Sequence, residues 1–127
     1  MDLEQFQLAA RDHYIIAALW SSNDESDESG GEPLDSNYCI DDIDPDTLAT
    51  MHDECDQFIA AYWAPITETE QTPEQCGHDL WLTRNHHGVG FWDRGYSKAL
   101  GDALTAAAHA EGSRDLYVGD DGRIYQA

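Results

Sequence analysis

The acidic residues of this chain are concentrated in its first 75 residues, where 19 Asp and Glu accompany a single base, Arg11. The remaining residues hold seven acids and five bases, so the net charge of −20 divides into −18 and −2. Charges of one sign are costly to bury without partners, so any fold must leave most of the N-terminal carboxylates in water. Their field repels nucleic-acid phosphates and anionic membranes, and we expect the chain to bind neither directly.

Size and composition predict a single soluble domain over residues 1–127. Hydrophobic residues make up 41% of the chain and include four Trp, which suffices for one core. No apolar run reaches the roughly 18 residues of a membrane span, and Asp2 and Glu4 stand where a signal peptide has basic residues. Three cysteines without a C-x-x-C pair are typical of a reducing compartment. These features predict a cytoplasmic protein.

The N-terminal half predicts two helices joined by an acidic loop. Apolar residues recur at three- and four-residue steps over residues 3–20, as in an amphipathic helix. A second helix is expected to begin at the N-cap Asp44, with Pro45 in its first turn, and to stop at Pro65. Residues 21–37 between them are rich in acids, Ser and Gly, and this composition predicts a mobile loop without regular structure.

The C-terminal part, about residues 76–127, begins with a predicted aromatic hairpin. Residues 78–84 and 89–94 flank a turn at residues 85–88. The expected register opposes one apolar, one aromatic and one charged pair across the two strands. These pairs are Leu82 with Phe91, Trp81 with Trp92, and Asp79 with Arg94.

A third helix and a second hairpin complete the expected fold. Ser97 can cap the helix and Gly112 can end it, and residues 116–118 and 123–125 flank an Asp-Gly turn. The order ααββαββ predicts an α+β fold, a small and mainly antiparallel sheet of two hairpins packed with helices. The predicted core comprises Phe6, Ile16, Leu48, Met51, Phe58, Ile59, Leu80, Leu82, Phe91, Leu100, Leu104 and Val118.

Two groups of residues resemble metal sites without matching one. Acids follow part of the spacing of a calcium loop, but Thr47 stands where that loop needs Gly, so we expect a capped helix start. A C-x-H pair followed by His-His matches no closed tetrahedral zinc pattern, and we expect exposed turn histidines. The acids are Asp42, Asp44, Asp46 and Asp53, and the zinc-like set is Cys76, His78, His86 and His87.

Catalytic motifs are absent from the sequence. It contains no nucleophile elbow, phosphate-binding loop, dinucleotide fingerprint or zinc-protease helix motif. Among 26 carboxylates some pair always falls near any chosen separation, so an acid–base pair carries almost no information. We therefore expect a protein that is not an enzyme and that needs no metal or cofactor.

Two segments of the C-terminal part resemble a family of small acidic proteins encoded by tailed phages and prophages. They are residues 78–95 (HDLWLTRNHHGVGFWDRG) and residues 115–125 (DLYVGDDGRIY). Residues 18–22 (ALWSS), 33–38 (PLDSNY) and 41–45 (DDIDP) resemble its N-terminal half, so the similarity spans most of the chain. The resemblance implies a phage genetic context and a scaffold of two aromatic hairpins, and it brings no activity and no catalytic residues.

The charge distribution suggests a binding role. Host proteins that act on nucleic acid have cationic grooves, which carboxylates can occupy in place of phosphates. We therefore expect a phage-encoded protein that binds the basic surface of a host nucleic-acid-handling or defence protein, in the bacterial cytoplasm, and inhibits it by nucleic-acid mimicry. The acids of the second helix have no expected basic neighbour. The partner-binding residues would be Asp24, Glu25, Asp27 and Glu28 of the loop, and Asp46, Asp53, Glu54 and Asp56 of that helix.

The sequence is also compatible with three alternatives. The acids can simply solvate the surface, which is the usual role of a charge run. A structural or regulatory phage protein could bind its partner through the aromatic hairpin face. A small metal-dependent enzyme could use Cys76 and the nearby histidines.

Overall fold

The computed structural model describes residues 1–24, 31–68, 71–87, 91 and 98–127. These residues are mostly helical and include two antiparallel sheets of two strands each, an α+β arrangement. The helices are α1 (Leu3–Ser21), α2 (Pro45–Ala61), α3 (Trp63–Glu68), α4 (Pro73–Arg84) and α5 (Lys98–Ala110). The strands are β1 (Asn23–Asp24), β2 (Glu32–Pro33), β3 (Leu116–Val118) and β4 (Ile124–Gln126). This order differs from the predicted ααββαββ.

Both predicted N-terminal helices are confirmed, and local hydrogen bonds explain where they begin. The Asp2 carboxylate accepts from the Gln5 amide at the start of α1, and Asp44 accepts from the Thr47 amide at the start of α2. Helix α2 ends at Ala61, three residues earlier than expected. Pro65 lies in the first turn of α3, where its missing N–H costs no helical hydrogen bond.

Residues 78–84 do not form the predicted hairpin strand, because they belong to α4. Thr72 caps this helix by accepting from the Gln75 amide, and Pro73 occupies its first position. Trp81 is buried inside the molecule, in edge-on contact with Tyr14 of α1 at 5.4 Å between ring centroids. The expected partner positions Trp92 and Arg94 lie outside the described residues.

Helix α4 packs closely along α1, and Gly77 lies at the point of closest approach. A Cβ atom at Gly77 would stand 2.1 Å from the carbonyl oxygen of Ala10 and 3.0 Å from the amide of Tyr14. Glycine therefore lets the two helix backbones approach to a distance that no other residue allows. This contact and the edge-on pair of Tyr14 and Trp81 join α1 to α4 inside the molecule.

The second predicted hairpin is confirmed, in the register that pairs Tyr117 with Tyr125. Gly122 takes a φ of +80° in the turn between the two strands, a conformation that glycine adopts readily. The hairpin is joined to the start of α2, because the Asp44 amide donates to the carbonyl of Ile124. The positive φ of Gly112, +83°, also agrees with its predicted place after α5.

The segment between α1 and α2 has more structure than the sequence predicted. Strands β1 and β2 pair with each other in its first half, and two 3-10 turns follow, Leu34–Ser36 and Ile40–Asp42. Leu34, the lone apolar residue of the acidic stretch, is fully buried against the core. Residues 25–30 of the predicted loop lie outside the described part of the chain.

Most of the predicted core is buried, with one clear error. Ile16 is 52% exposed, because the buried stripe of α1 passes through Tyr14, Ala17 and Ala18 instead. Leu48, Leu82, Leu100 and Val118 are only partly buried against the core. The sequence prediction missed Trp81 and the charged residue Arg84, which are both 1% exposed. The confirmed members are Phe6, Met51, Phe58, Ile59, Leu80, Phe91 and Leu104.

Candidate functional site

The structure describes five of the eight predicted partner-binding acids, and two of these five are exposed. Asp46 and Asp53 are exposed on α2, seven residues or about 10.5 Å apart along the helix axis. Asp24 is half-buried in β1, where it engages in a contact within the chain. Glu54 and Asp56 are also half-buried. Glu25, Asp27 and Glu28 lie outside the described residues.

Asp56 has a basic neighbour, contrary to expectation. Arg11 of α1 donates hydrogen bonds from two guanidinium nitrogens, Nε and Nη2, to the Asp56 carboxylate. The Gln7 side chain donates to the backbone carbonyl of Asp56. The hydrogen bond to Asp56 raises the pKa of Arg11, against a smaller opposing effect of burial. The side chains are 30% and 19% exposed, so this pair links α1 to α2 at the edge of the core.

Glu54 also has a basic partner, the buried guanidinium of Arg84. Arg84 Nη1 lies 2.8 Å from a Glu54 carboxylate oxygen and 2.8 Å from the Tyr14 hydroxyl. The remaining donors bind the backbone carbonyls of Glu111 and Gly112. Burial disfavours the charged form of Arg84, but Tyr14 and Glu54 outweigh it and its pKa lies above the ordinary value. Glu54 is therefore part of a buried network that joins α1, α2 and α4.

Arg11 is the one base of the N-terminal half, and its pairing with Asp56 means that it does not neutralise the exposed acids of that half. Arg11 is held by Asp56, and Arg84 from the C-terminal part is held by Glu54. Lys98 pairs with Asp102 on its own helix. The exposed acids of residues 1–68 that the structure describes are Asp2, Glu4, Asp12, Glu32, Asp35, Asp41, Asp46, Asp53 and Glu68.

Part of this charge gathers where α1 meets α2 and the segment before α2. Burial lowers the pKa of the half-buried His52 of α2, and Arg11 lowers it further. Asp56 opposes this lowering, and so do Asp12 of α1 and Asp53 of α2. Asp35 lies across a groove from Asp12. We call Asp12, Asp35 and Asp53 the acidic face. Asp46 lies apart from it, in a small polar cavity with Arg114.

The groove beside the acidic face is apolar and has a volume of about 480 Å³. One wall is α1, through Ile15, Ile16 and Leu19, and the other is the segment that includes Tyr38 and Ile40. Ile16 and Ile40 are 52% and 37% exposed, so the groove is open to solvent. Sequence reasoning missed it by assigning Ile16 to the core. The signal that could have revealed it is the return of apolar residues after Leu34, at residues 38 and 40.

Members of the two groups that resemble metal sites make structural contacts instead, as caps of turns and helices or in ring contacts. Asp42 and Asp44 accept backbone hydrogen bonds from Cys39 and Thr47, which are turn and helix caps. Cys76 is buried, whereas His78 contacts the Trp20 ring and His86 stacks on His109. Over the ranges that the structure describes, no three His, Cys, Asp or Glu side chains are grouped as metal ligands.

The three cysteines differ sharply in environment, which predicts selective chemistry. Burial raises the pKa of Cys55 well above its ordinary value and that of Cys76 to about 12, so both stay protonated and shielded. Cys39 is exposed in the groove. We expect iodoacetamide to add one label to the native protein, at Cys39, and three after denaturation, as measured by mass spectrometry. Rapid native labelling of Cys55 or Cys76 would contradict their burial.

None of the helices in the described ranges is long and apolar enough to span a membrane. No protein-family model matches the chain, and neither a curated protein nor a solved structure is significantly similar to it. What the surface binds must therefore be inferred from its own geometry and charge.

Proposed function

We propose that this is a phage-encoded acidic protein that binds the basic surface of a host nucleic-acid-handling or defence protein. It inhibits that protein by occupying the groove that otherwise binds nucleic-acid phosphates. The observation that supports this most is the number of exposed carboxylates on α1, α2 and the segment between them, while the one base of that half is held by Asp56.

Uncompensated surface carboxylates favour a basic partner for two physical reasons. Their summed field steers a positively charged surface into encounter, and it repels acidic ones. A cationic groove, in turn, releases its bound anions when carboxylates replace them, so the complex should weaken as salt rises. These properties suit a protein that competes with nucleic acid for the same site.

The described acids contribute to this proposal unequally. Asp46 and Asp53 remain the helix residues offered to a partner. Asp12 and Asp35 join Asp53 in the acidic face, and Asp46 lies apart from it. Glu54 and Asp56 act instead through the fold, because each holds an arginine of another helix. Asp24 and the loop acids Glu25, Asp27 and Glu28 stay in the proposal on their sequence alone.

Reversing Asp46 and Asp53 together to lysine should weaken partner capture while leaving the fold intact, since both side chains are exposed. The measurement is capture of proteins from bacterial lysate at low and high salt, with and without excess duplex DNA. We expect the wild-type complex to be released by salt and by DNA. The reversed variant should associate on the order of tenfold more slowly, because rim charges act mainly through steering.

A matched control reverses Glu111 and Asp120, which are exposed acids of the C-terminal part. It changes the net charge by the same amount at a distance in sequence from α2. Equal loss in both variants would mean that total charge matters and that no particular face binds. A captured partner that resists both salt and DNA would overturn mimicry.

A further inference from the structure

The groove between α1 and the segment before α2 is an unusual feature for so acidic a surface. Ile16 and Ile40 stay substantially exposed on its walls, although burying apolar side chains of this size is favourable. Asp12 and Asp35 stand among these apolar residues as part of the same lining. An apolar cleft with a few charged groups at its edge is typical of a recognition site.

We propose that this groove binds an amphipathic basic segment of a protein partner. An apolar side chain of that segment enters between Ile16 and Ile40, and flanking Lys or Arg side chains pair with Asp12 and Asp35. This inference rests on the proposed function, which requires a basic partner, and it deepens it by naming the part of the surface that anchors the partner.

Charge complementarity selects this occupant over the others. A second copy of the chain would bring two surfaces of the same sign together, within a molecule of net charge −20, and like charges facing each other oppose association. The acidic stretch that precedes Leu34 is disfavoured by the same repulsion. A basic amphipathic segment can bury its apolar side chains against the isoleucines of the groove and pair its basic side chains with Asp12 and Asp35, so it complements both kinds of lining residue.

Cys39 supplies a native probe of the groove. It is exposed and lines the groove, whereas Cys55 and Cys76 are buried. A segment that occupies the groove should therefore slow alkylation of Cys39 by iodoacetamide. Protection at this one thiol reports occupancy at a defined place, which a measurement of total binding to an acidic protein does not.

The test uses a synthetic amphipathic peptide of leucine and lysine, with a serine and lysine peptide of equal charge as its control. Binding is followed by fluorescence anisotropy and by the rate of Cys39 alkylation, at low salt and at about 1 M salt, where surface charges are screened beyond about 3 Å. We expect the leucine peptide to protect Cys39 at both salt concentrations. The serine peptide should bind only at low salt and leave Cys39 reactive at high salt.

Variants then locate the contact. Ile16→Ser combined with Ile40→Ser should weaken the leucine peptide on the order of tenfold at high salt, because less apolar surface is buried. Leu8→Ser is the matched control, since Leu8 is 50% exposed on the same helix and does not line the groove. It should bind the peptide as the wild type does. Circular dichroism verifies that all three proteins are folded.

Equal binding by the groove variant and the wild type, or no protection of Cys39, would overturn the inference. A dimer in sedimentation velocity that the groove variant abolishes would overturn it in favour of a second copy. Capture from lysate separates this inference from the proposed function. If reversing Asp46 and Asp53 abolishes capture and the groove variant does not, the groove inference is wrong and the proposed function is retained. If the groove variant abolishes capture and the reversal does not, mimicry is wrong and the groove inference is retained.

Discussion

Replacing Gly77 with alanine is expected to destabilise the protein by about 3 kcal/mol or more, a large part of the roughly 5–15 kcal/mol typical of a domain. The added Cβ would stand 2.1 Å from the Ala10 carbonyl oxygen and 2.9 Å from its carbon. Both are backbone atoms, so no side-chain rotation relieves the clash and the two helices must separate. That separation loosens the contact between Tyr14 and Trp81 as well.

Urea denaturation of the variant measures this cost. Glu74→Ala is the control, because Glu74 is exposed on the same helix and should change stability by about 0.5 kcal/mol or less. Adding Ala10→Gly should not rescue the variant, since the clash is with the backbone oxygen.

Without the clash, Gly77→Ala should stabilise the protein, because alanine is the better helix former by about 1 kcal/mol. A stabilised Gly77→Ala protein would therefore show that α1 and α4 do not meet at this point.

Helix α4 shows why part of this fold could not be predicted from the sequence. The prediction relied on amphipathic periodicity, but α4 is buried on several sides, and a helix buried nearly all round has no single apolar stripe. Its alternating apolar residues, Leu80 and Leu82, then imitate a strand. The signals that survive burial are local, and Thr72 with Pro73 is such a signal.

The elements predicted correctly are those whose start or turn is fixed by nearby residues. Asp44 and Thr47 define the start of α2 within one turn, and Gly122 defines the second hairpin through its positive φ. The pairing of Arg11 with Asp56 depends instead on how α1 and α2 cross, over 45 residues of chain. Sequence could predict that α2 carries acids, but not which of them face another helix and which face solvent.

The groove is a further case in which tertiary packing decides. Ile16 belongs to the apolar pattern of α1, and the pattern alone assigns it to the core. Its exposure depends on where the segment from Leu34 to Ile40 crosses the helix, which no local signal specifies. The acids of the candidate surface could be found from composition, whereas its apolar part required the structure.

Replacing Arg84 with methionine is expected to cost about 3–5 kcal/mol of stability, although it exchanges a buried charge for an apolar residue of similar length. The reason lies in the partners left behind. The buried Tyr14 hydroxyl loses its donor, Glu54 loses its charged partner and keeps only the Gln126 amide, and the carbonyls of Glu111 and Gly112 lose theirs. Unsatisfied buried groups each cost about 1–3 kcal/mol. Denaturation in urea measures the loss.

Arg11→Met is the matched control, since its ion pair with Asp56 is partly exposed, and we expect a loss of about 1 kcal/mol. A double-mutant cycle of Arg84→Met with Glu54→Gln should give a coupling energy of about 1–3 kcal/mol. A methionine variant as stable as the wild type would show that the network is dispensable.

The same network determines how variants of the acidic residues must be interpreted. Reversing Glu54 to lysine would place two positive charges against each other beside Tyr14, so lost partner capture would reflect unfolding. Reversing Asp53, the residue that precedes Glu54 in α2, places the new charge in solvent and leaves Arg84 paired. We therefore expect Glu54→Lys to lower the urea midpoint sharply and Asp53→Lys to leave it nearly unchanged. If both variants unfolded alike, Asp53 would have to be part of the fold and could not be offered to a partner.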